Sequence, residues 1–388
     1  MKIQNFGKPL SRLIIMVAIC MLSLHAMAYD FSYTYQGKTL YYNITSENTV
    51  AVTYYSYISD SNNYVNGDVV IPRTVEYNGT TYNVASIDSW AFECCYSLTS
   101  VSIPNSVTAI GTGAFSWCLF ISSINIPEGI TSLENHTFYA CLSLTDIVIP
   151  NTVNTIGKYA FAYCEDLASI QLPSSLTELD TCAFYHCKSL NAVSFPNGLT
   201  RIGAWAFDSC VNLSNITLPE GLTTMEKSAF RECSGLQYAE LPSSLAVLDT
   251  AVFEYCTSLT SVNLPNGLTR IGGWAFDSCV NLSSITLPES LTTIEKSAFL
   301  YSGLTSVTIP DNVTKIDYFA FYGCNALETL NFNAVNCQDF GRSSYTDEND
   351  NRIWTNPFGN SLTTVNIGNN VQRLPDYFIL KSATTRLI

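Results

Sequence analysis

A proline recurs every 23 residues through most of the chain, and this interval constrains the fold more than any other feature of the sequence. The prolines stand at positions 104, 127, 150, 173, 196, 219, 242, 265 and 288, followed by one step of 22 residues to position 310. Phenylalanine keeps the same interval at positions 92, 115, 138, 161, 184, 207, 230, 253, 276, 299 and 321. A period of this size is typical of a solenoid, in which short units stack along one axis.

One unit, read from Ala206, shows what repeats. Its apolar ladder positions are Phe207, Cys210, Leu213, Ile216 and Leu218, and they are followed by Pro219, Leu222 and Met225. The alternation of Ile216 and Leu218 predicts a short strand with both side chains directed inward, and Pro219 ends it because proline has no amide donor. The spacing from Ala206 to Cys210 predicts a single helical turn, held in place by packing of Phe207. Since one unit is too small to have its own core, we expect neighbouring units to stack with parallel strands about 4.8 Å apart.

This pattern resembles the leucine-rich repeat, and more closely the BspA-type, or treponemal-type, leucine-rich repeat family of bacterial surface proteins. The resemblance rests on Leu98, Val101 and Ile103 in one strand, on Ile202-Gly203, and on Ala206-Phe207-x-x-Cys210. It covers residues 85–332 densely. The asparagine ladder of the commoner leucine-rich repeats is absent, and Ser106, Gly198 and Gly221 stand in its place. The resemblance implies a leucine-rich-repeat solenoid that is secreted or surface-exposed and associated with adhesion or host-protein binding, without identifying a ligand.

The repeat divides the chain into five segments. Residues 1–28 are predicted to be a signal peptide, and residues 29–90 a β-rich cap over the first open strand edge. Residues 91–332 form the predicted solenoid. Residues 333–361 are predicted to be an irregular insertion, and residues 362–388 restore imperfect terminal repeats.

The predicted signal peptide follows the order of charged, apolar and small residues that export requires. Lys2, Lys8 and Arg12 precede the apolar run 13–24, and cleavage is expected after Ala28. An uncleaved membrane anchor is the competing interpretation, although the run is short of the ~20 residues that span a bilayer. Lipidation at Cys20 is a further alternative, disfavoured by the bulky residue before it.

Charge and composition argue against several classes of partner. The chain has 18 Lys and Arg against 32 Asp and Glu, a formal net charge of −14. Binding to nucleic acid needs clustered cations, so we expect no nucleic-acid partner. No second long apolar segment follows the signal peptide, so we expect no transmembrane segment in the mature chain.

Ten of the fourteen cysteines occupy the same position of the repeat. Disulfides are the first expectation for an exported protein. However, Ser302 replaces one of these cysteines directly, and side chains stacked in one direction have poor geometry for pairing. The sequence therefore predicts a column of buried free thiols.

Metal, cofactor and enzyme chemistry find little support. Only His136 and His186 remain after processing and no C-x-x-C pair exists, so a zinc site is not expected. The acidic stretch 347–351 resembles a calcium loop, but Arg352 and Phe358 stand where such a loop needs glycine and glutamate. No nucleophile, base and oxyanion-donor arrangement can be assembled, so we predict a non-catalytic protein without a cofactor.

Candidate ligand contacts lie at positions that the repeat does not fix. They are Trp117, Trp205 and Trp274, which flank the repeat phenylalanine, and Tyr238 and Glu240, which interrupt a row of Ser, Thr and Asn on the outward strand face. The tryptophans either form an exposed edge for ligand contacts or shield the side of the solenoid. Residues 196–230 and 265–299 are identical at 31 of 35 positions. This identity reflects either duplication of modular sequence or bivalent contact with a repetitive ligand.

Two hypotheses about function follow. The first is a secreted or surface-exposed, non-catalytic, adhesin-like protein that binds proteins of a host or neighbouring cell through its solenoid. The alternative is a glycan-binding accessory protein, favoured by the aromatic edge and the polar strand face.

Overall fold

The computed structural model describes residues 29–54, 65–338, 340, 343–346, 352–355, 357–358, 361–376, 378 and 386–387. These residues contain twenty-nine strands and no helix. The predicted signal peptide and the acidic stretch 347–351 lie outside the described residues.

All but a few of the strands are very short. The cap contains β1 (Phe31–Tyr35), β2 (Lys38–Ile44), β3 (Thr49–Thr53), β4 (Gly67–Val70), β5 (Thr74–Tyr77) and β6 (Thr80–Ile87). The first half of the repeats contains β7 (Leu98–Ser102), β8 (Ala109–Ile110), β9 (Ser123–Ile124), β10 (Ser132–Leu133), β11 (Thr155–Ile156), β12 (Ser169–Gln171), β13 (Glu178–Leu179), β14 (Ala192–Ser194) and β15 (Arg201–Ile202). The second half contains β16 (Asn215–Thr217), β17 (Thr224–Met225), β18 (Tyr238–Glu240), β19 (Val247–Leu248), β20 (Ser261–Asn263), β21 (Arg270–Ile271), β22 (Thr293–Ile294), β23 (Ser306–Ile309), β24 (Lys315–Ile316) and β25 (Thr329–Phe332). The C-terminal part contains β26 (Ser343–Thr346), β27 (Arg352–Thr355), β28 (Thr364–Ile367) and β29 (Arg386–Leu387).

Most units contribute strands to two rows of parallel strands along the solenoid, which are here called the first and the second sheet although each is divided into several short sheets. The first sheet contains the predicted strands, for example β16, β18 and β20, which pair in register so that Ile216, Ala239 and Val262 stand side by side. The second sheet contains two-residue strands such as β13, β15 and β17, in which Leu179, Ile202 and Met225 align. This second strand was not predicted from the sequence, because two residues are too few for an alternating pattern to be visible.

The predicted helical turn is wrong. The segment around Phe207 is instead a run of hydrogen-bonded turns in which Trp205 and Ser209 have left-handed backbones, with φ of 55° and 63°. The amide of Phe207 donates to the carbonyl of Ala229 in the next unit at 2.8 Å, whereas the amide of Cys210 donates to the carbonyl of Phe207 at 3.2 Å. Alternate amides therefore point along the stack, and the hydrogen bonds between units replace those of a helix.

A column of phenylalanines forms the centre of the core. Rings in successive units are nearly parallel, and the centroids of Phe184 and Phe207, for example, lie 5.3 Å apart with an interplanar angle of 4°. The column continues beyond the regular repeats: the ring of Phe358 stacks on that of Phe321 with a centroid distance of 5.3 Å. Strand β28 likewise pairs directly with β25, so the hairpin of β26 and β27 is an excursion from the stack.

The strands of residues 29–90 cover the first edge of both sheets. Strand β4 pairs in parallel with β7 of the first sheet, and β6 pairs in parallel with β8 of the second. Strands β1, β2 and β3 extend the β6 side of this cap, and Phe31 stacks on Tyr77 at 4.3 Å to close it. The cap thus extends the first sheet by one strand and covers the first edge of the second with several strands.

Candidate binding surfaces

The outer row of the first sheet is the set of outward side chains on its strands. On β16, Asn215 and Thr217 are exposed while Ile216 between them is 2% exposed, as the alternation predicted. Tyr238 lies in register between Asn215 and Ser261 and is half-buried. Glu240 follows it and is exposed. The structure therefore places the two predicted residues together in one unit, surrounded by small polar side chains.

Trp117 belongs to a small hydrophobic cluster rather than to an open edge. It is 8% exposed, packs with Cys94 and Ala140, and meets the ring of Tyr139 edge-on at 5.7 Å. This environment corresponds to the shielding interpretation for Trp117.

Trp205 and Trp274 are half-buried and each is covered by a lysine of the following unit. The Nζ atom of Lys227 lies 4.4 Å from the ring centroid of Trp205, and that of Lys296 lies 4.2 Å from the centroid of Trp274. These distances are those of cation–π contacts. The two lysines were not among the predicted contact residues, although their presence in both copies of the duplicated segment was a usable signal.

The aromatic side chains at these turns lean over the next unit. A Cβ atom at Gly113 would lie 2.0 Å from ring atoms of Trp90, so only glycine fits beneath that ring, and its left-handed backbone suits glycine as well. The position below Trp205 is Ser228, and the one below Trp274 is Ser297. A large aromatic residue in one unit is thus followed by a small residue in the next.

Each of the two tryptophans also lies near an arginine–glutamate pair. Arg201 meets Glu226 at 2.8 Å, and Glu226 accepts a hydrogen bond from the amide of Ala204 at 3.0 Å. Arg270 meets Glu295 at 2.8 Å in the second copy.

The surroundings of the two arginines differ in one respect. Arg201 also reaches Glu178 at 3.4 Å on the neighbouring strand. On the preceding strand of the second copy, Val247 is the residue in register with Arg270, where the first copy has Glu178. Arg270 is therefore compensated by one carboxylate and Arg201 by two.

Each copy also contains a buried carboxylate, and the two carboxylates differ in their neighbours. Asp208 accepts a hydrogen bond from Ser209 and lies 3.4 Å from Arg231. Asp277 accepts a hydrogen bond from Ser278, but Leu300 stands where the first copy has Arg231. Burial raises the pKa of each carboxyl to about 6.

Ten of the cysteines form the predicted column of buried thiols. All thirteen described cysteines are buried and none is in a disulfide. The Sγ atom of Cys210 donates to the carbonyl of Phe184 at 3.3 Å, and the same contact recurs along the column. Burial holds the pKa of the Cys210 thiol well above its usual range, so the thiolate needed for reactivity is disfavoured. Burial also raises the pKa of Cys182, four residues before His186.

Within the described part of the chain, no group of three or more histidine, cysteine, aspartate or glutamate side chains is arranged to hold a metal ion. Over the same residues, no helix is long and apolar enough to cross a membrane.

Fold and surface together define a non-globular repeat protein whose units leave side chains available on several faces. The model of the BspA type leucine rich repeat region matches six copies over residues 75–191, 177–305 and 248–386. The chain therefore belongs to the BspA-type leucine-rich repeat family, as its sequence resemblance implied.

Solved structures share this fold at low sequence identity. A leucine rich cell surface protein from Faecalibacterium prausnitzii is 24% identical over 80% of this chain and 91% of its own, with a TM-score of 0.52. The pneumococcal vaccine antigen PcpA is 17% identical over 93% and 94% of the two chains, with a TM-score of 0.50. A leucine-rich repeat protein from Bacteroides ovatus is 24% identical over 93% and 99%, with a TM-score of 0.49. No curated protein matches the sequence.

Proposed function

We propose that the protein is a secreted or surface-exposed, non-catalytic, adhesin-like binding protein that engages proteins of a host or neighbouring cell. The supporting observation is the outer row of the first sheet, where exposed side chains follow one another in register along the stack. Positions that face the core are committed to stacking, so the outward positions are those free to vary for a ligand. Family membership and a cell-surface protein among the structural neighbours agree with this role.

Tyr238 and Glu240 are the proposed centre of the contact. A tyrosine supplies a large amphipathic surface at low entropic cost, and interfaces concentrate their energy in a few such residues. Glu240 adds a charge beside it, and the side chains next to both residues in the row, Asn215, Thr217, Ser261 and Asn263, are neutral. We therefore expect a protein partner with a pocket for the ring and a basic group close to that pocket.

Glycan binding is the second candidate function. The observation that favours it is the half-buried state of Trp205 and Trp274, whose rings are held at fixed places in two nearly identical units. Aromatic rings with fixed orientation provide stacking surfaces for ligands.

One experiment separates the two functions. The exported protein is applied side by side to immobilised extracellular-matrix proteins and to a glycan array. Replacing Tyr238→Ser and Glu240→Thr together should weaken protein binding by about tenfold or more, because hot-spot side chains carry most of an interface's energy. The matched control is Ser169→Ala with Gln171→Ala, on the same outer row three units earlier. Protein binding that survives the first pair of substitutions, or falls equally with the control pair, would contradict this assignment.

A further inference from the structure

Two nearly identical clusters of side chains repeat at an interval of three units. Each cluster, here called a module, contains an arginine, a tryptophan, a glutamate and a lysine. The first module is Arg201, Trp205, Glu226 and Lys227, and the second is Arg270, Trp274, Glu295 and Lys296.

The lysine is the uncompensated charge of each module. The arginine is paired with the glutamate at 2.8 Å in both copies. Lys227 and Lys296, by contrast, form no ion pair with any described carboxylate and lie instead above a tryptophan ring. Other described cations, such as Lys158, also lack an ion pair, and the position over a tryptophan ring sets Lys227 and Lys296 apart. Each can receive an anionic group without first breaking a salt bridge.

The two modules lie on the same side of the solenoid at a fixed separation. Three steps of the phenylalanine column connect them, with centroid distances of 5.2, 5.9 and 5.7 Å. Parallel strands place units three steps apart at about 14 Å from each other. A ligand that engages both must therefore present the same group at regular intervals along an extended chain.

An acidic polysaccharide has this chemistry. Its rings have apolar faces that pack on an aromatic side chain, and uronic acid units carry carboxylates for a lysine. Both features recur along such a chain because its composition repeats. An acidic peptide would need an apolar and an acidic residue at each of two places set by this spacing.

We propose that the two modules together bind an acidic polysaccharide containing uronic acid units, with a sugar ring against the part of each half-buried tryptophan that the lysine leaves exposed and a carboxylate at each lysine. This inference rests on the glycan-binding candidate function and names its ligand class. The second module binds more tightly, because Val247 replaces the additional carboxylate of Glu178 beside the arginine.

The test uses polygalacturonate as the probe and the same polymer after reduction of its carboxyl groups as the neutral control. Affinity is measured at 0.15 M salt for the exported protein and for its variants. Lys227→Gln and Lys296→Gln should each weaken binding by about tenfold, the second more than the first, and the double variant should lose most of the avidity. The matched control is Lys158→Gln, because Lys158 has the same repeat position but follows His136 rather than a tryptophan.

Each outcome decides between the alternatives. Lost affinity in the two module variants, with Lys158→Gln unchanged and circular dichroism unaltered, supports the proposal. Equal losses in all three lysine variants would overturn the role of the tryptophans. Equal binding of polyglutamate would assign the modules to acidic peptides instead. Binding of neutral glycans but not polygalacturonate would overturn this inference and leave the glycan-binding function standing, whereas an array without any bound glycan would reject both.

Discussion

Replacing Asp277 by asparagine should stabilise the protein at neutral pH. The carboxyl is 5% exposed, and its pKa rises from the ordinary 3.8 to about 6, chiefly because burial disfavours the charged form. Asparagine keeps an oxygen that can accept the hydrogen bond of Ser278, now 2.8 Å away. The substitution therefore removes the buried charge while preserving the local contact.

The magnitude follows from the pKa difference. One pKa unit corresponds to about 1.4 kcal/mol, so the full shift would be worth about 3 kcal/mol. Screening by nearby solvent reduces this value, and we expect a gain of about 1 to 2 kcal/mol at pH 7.5. Because the folded state holds its proton more tightly than the unfolded state, the native protein loses stability as pH rises from about 4 to 6. The gain from Asp277→Asn should therefore disappear near pH 4.

Asp208→Asn is the matched comparison. Its carboxylate lies 3.4 Å from Arg231, yet its pKa is also raised to about 6, so the same substitution there should give a similar gain. Thermal unfolding at pH 4 and pH 7.5 measures both variants, and the expected shift for Asp277→Asn at pH 7.5 is roughly 1 to 3 °C. An Asp277→Asn variant that is less stable at pH 7.5, or equally shifted at both pH values, would refute the electrostatic reasoning.

Further predictions concern packing, backbone, thiols and export. Phe207→Ala should cost about 3 to 5 kcal/mol in urea unfolding because it empties the centre of the column, whereas Phe120→Ala, at a side chain 58% exposed, should cost far less; similar costs would mean that the column does not hold the units together. Ser228→Gly should raise the free energy of unfolding in urea by about 1 kcal/mol, because glycine relieves the strain of a left-handed backbone with φ of 58°. A lower free energy of unfolding would show that Ser228 is not strained. Thiol titration of the denatured, unreduced protein should recover most of the thirteen described cysteines, and recovery of one would indicate disulfides. Mass spectrometry of protein from its native host should find Tyr29 at the amino terminus, and a lipidated Cys20 would overturn the predicted cleavage.

The repeat made the core predictable from sequence. The phenylalanine and cysteine positions and the first strand of each unit depend only on residue type and interval, and Phe207, Cys210 and Ile216 are all buried as predicted. The helical turn was predicted from spacing alone, which cannot distinguish hydrogen bonds within a segment from those to the next unit. The left-handed backbones of Trp205 and Ser209 arise from the latter.

The candidate surfaces were less predictable, because they depend on which residues meet between units. Trp117 stands two residues after its repeat phenylalanine, and Trp205 and Trp274 stand two residues before theirs. These positions alone do not reveal that the first is buried in a satellite cluster and that the other two lie beneath lysines. Twenty-two residues separate each of these lysines from its tryptophan. Only the stacking of units brings such residues together.

The duplicated segment shows that properties of this array belong to pairs of neighbouring units rather than to single units. Asp208 and Asp277 occupy equivalent positions in nearly identical sequence, but only the first has an arginine in the next unit. Arg270 likewise differs from its counterpart through the residue on the preceding strand, which is Val247. Because each unit contacts only its neighbours, a copied unit keeps its core and acquires a new surface wherever it is inserted. Duplication alone can therefore produce two related sites of unequal strength.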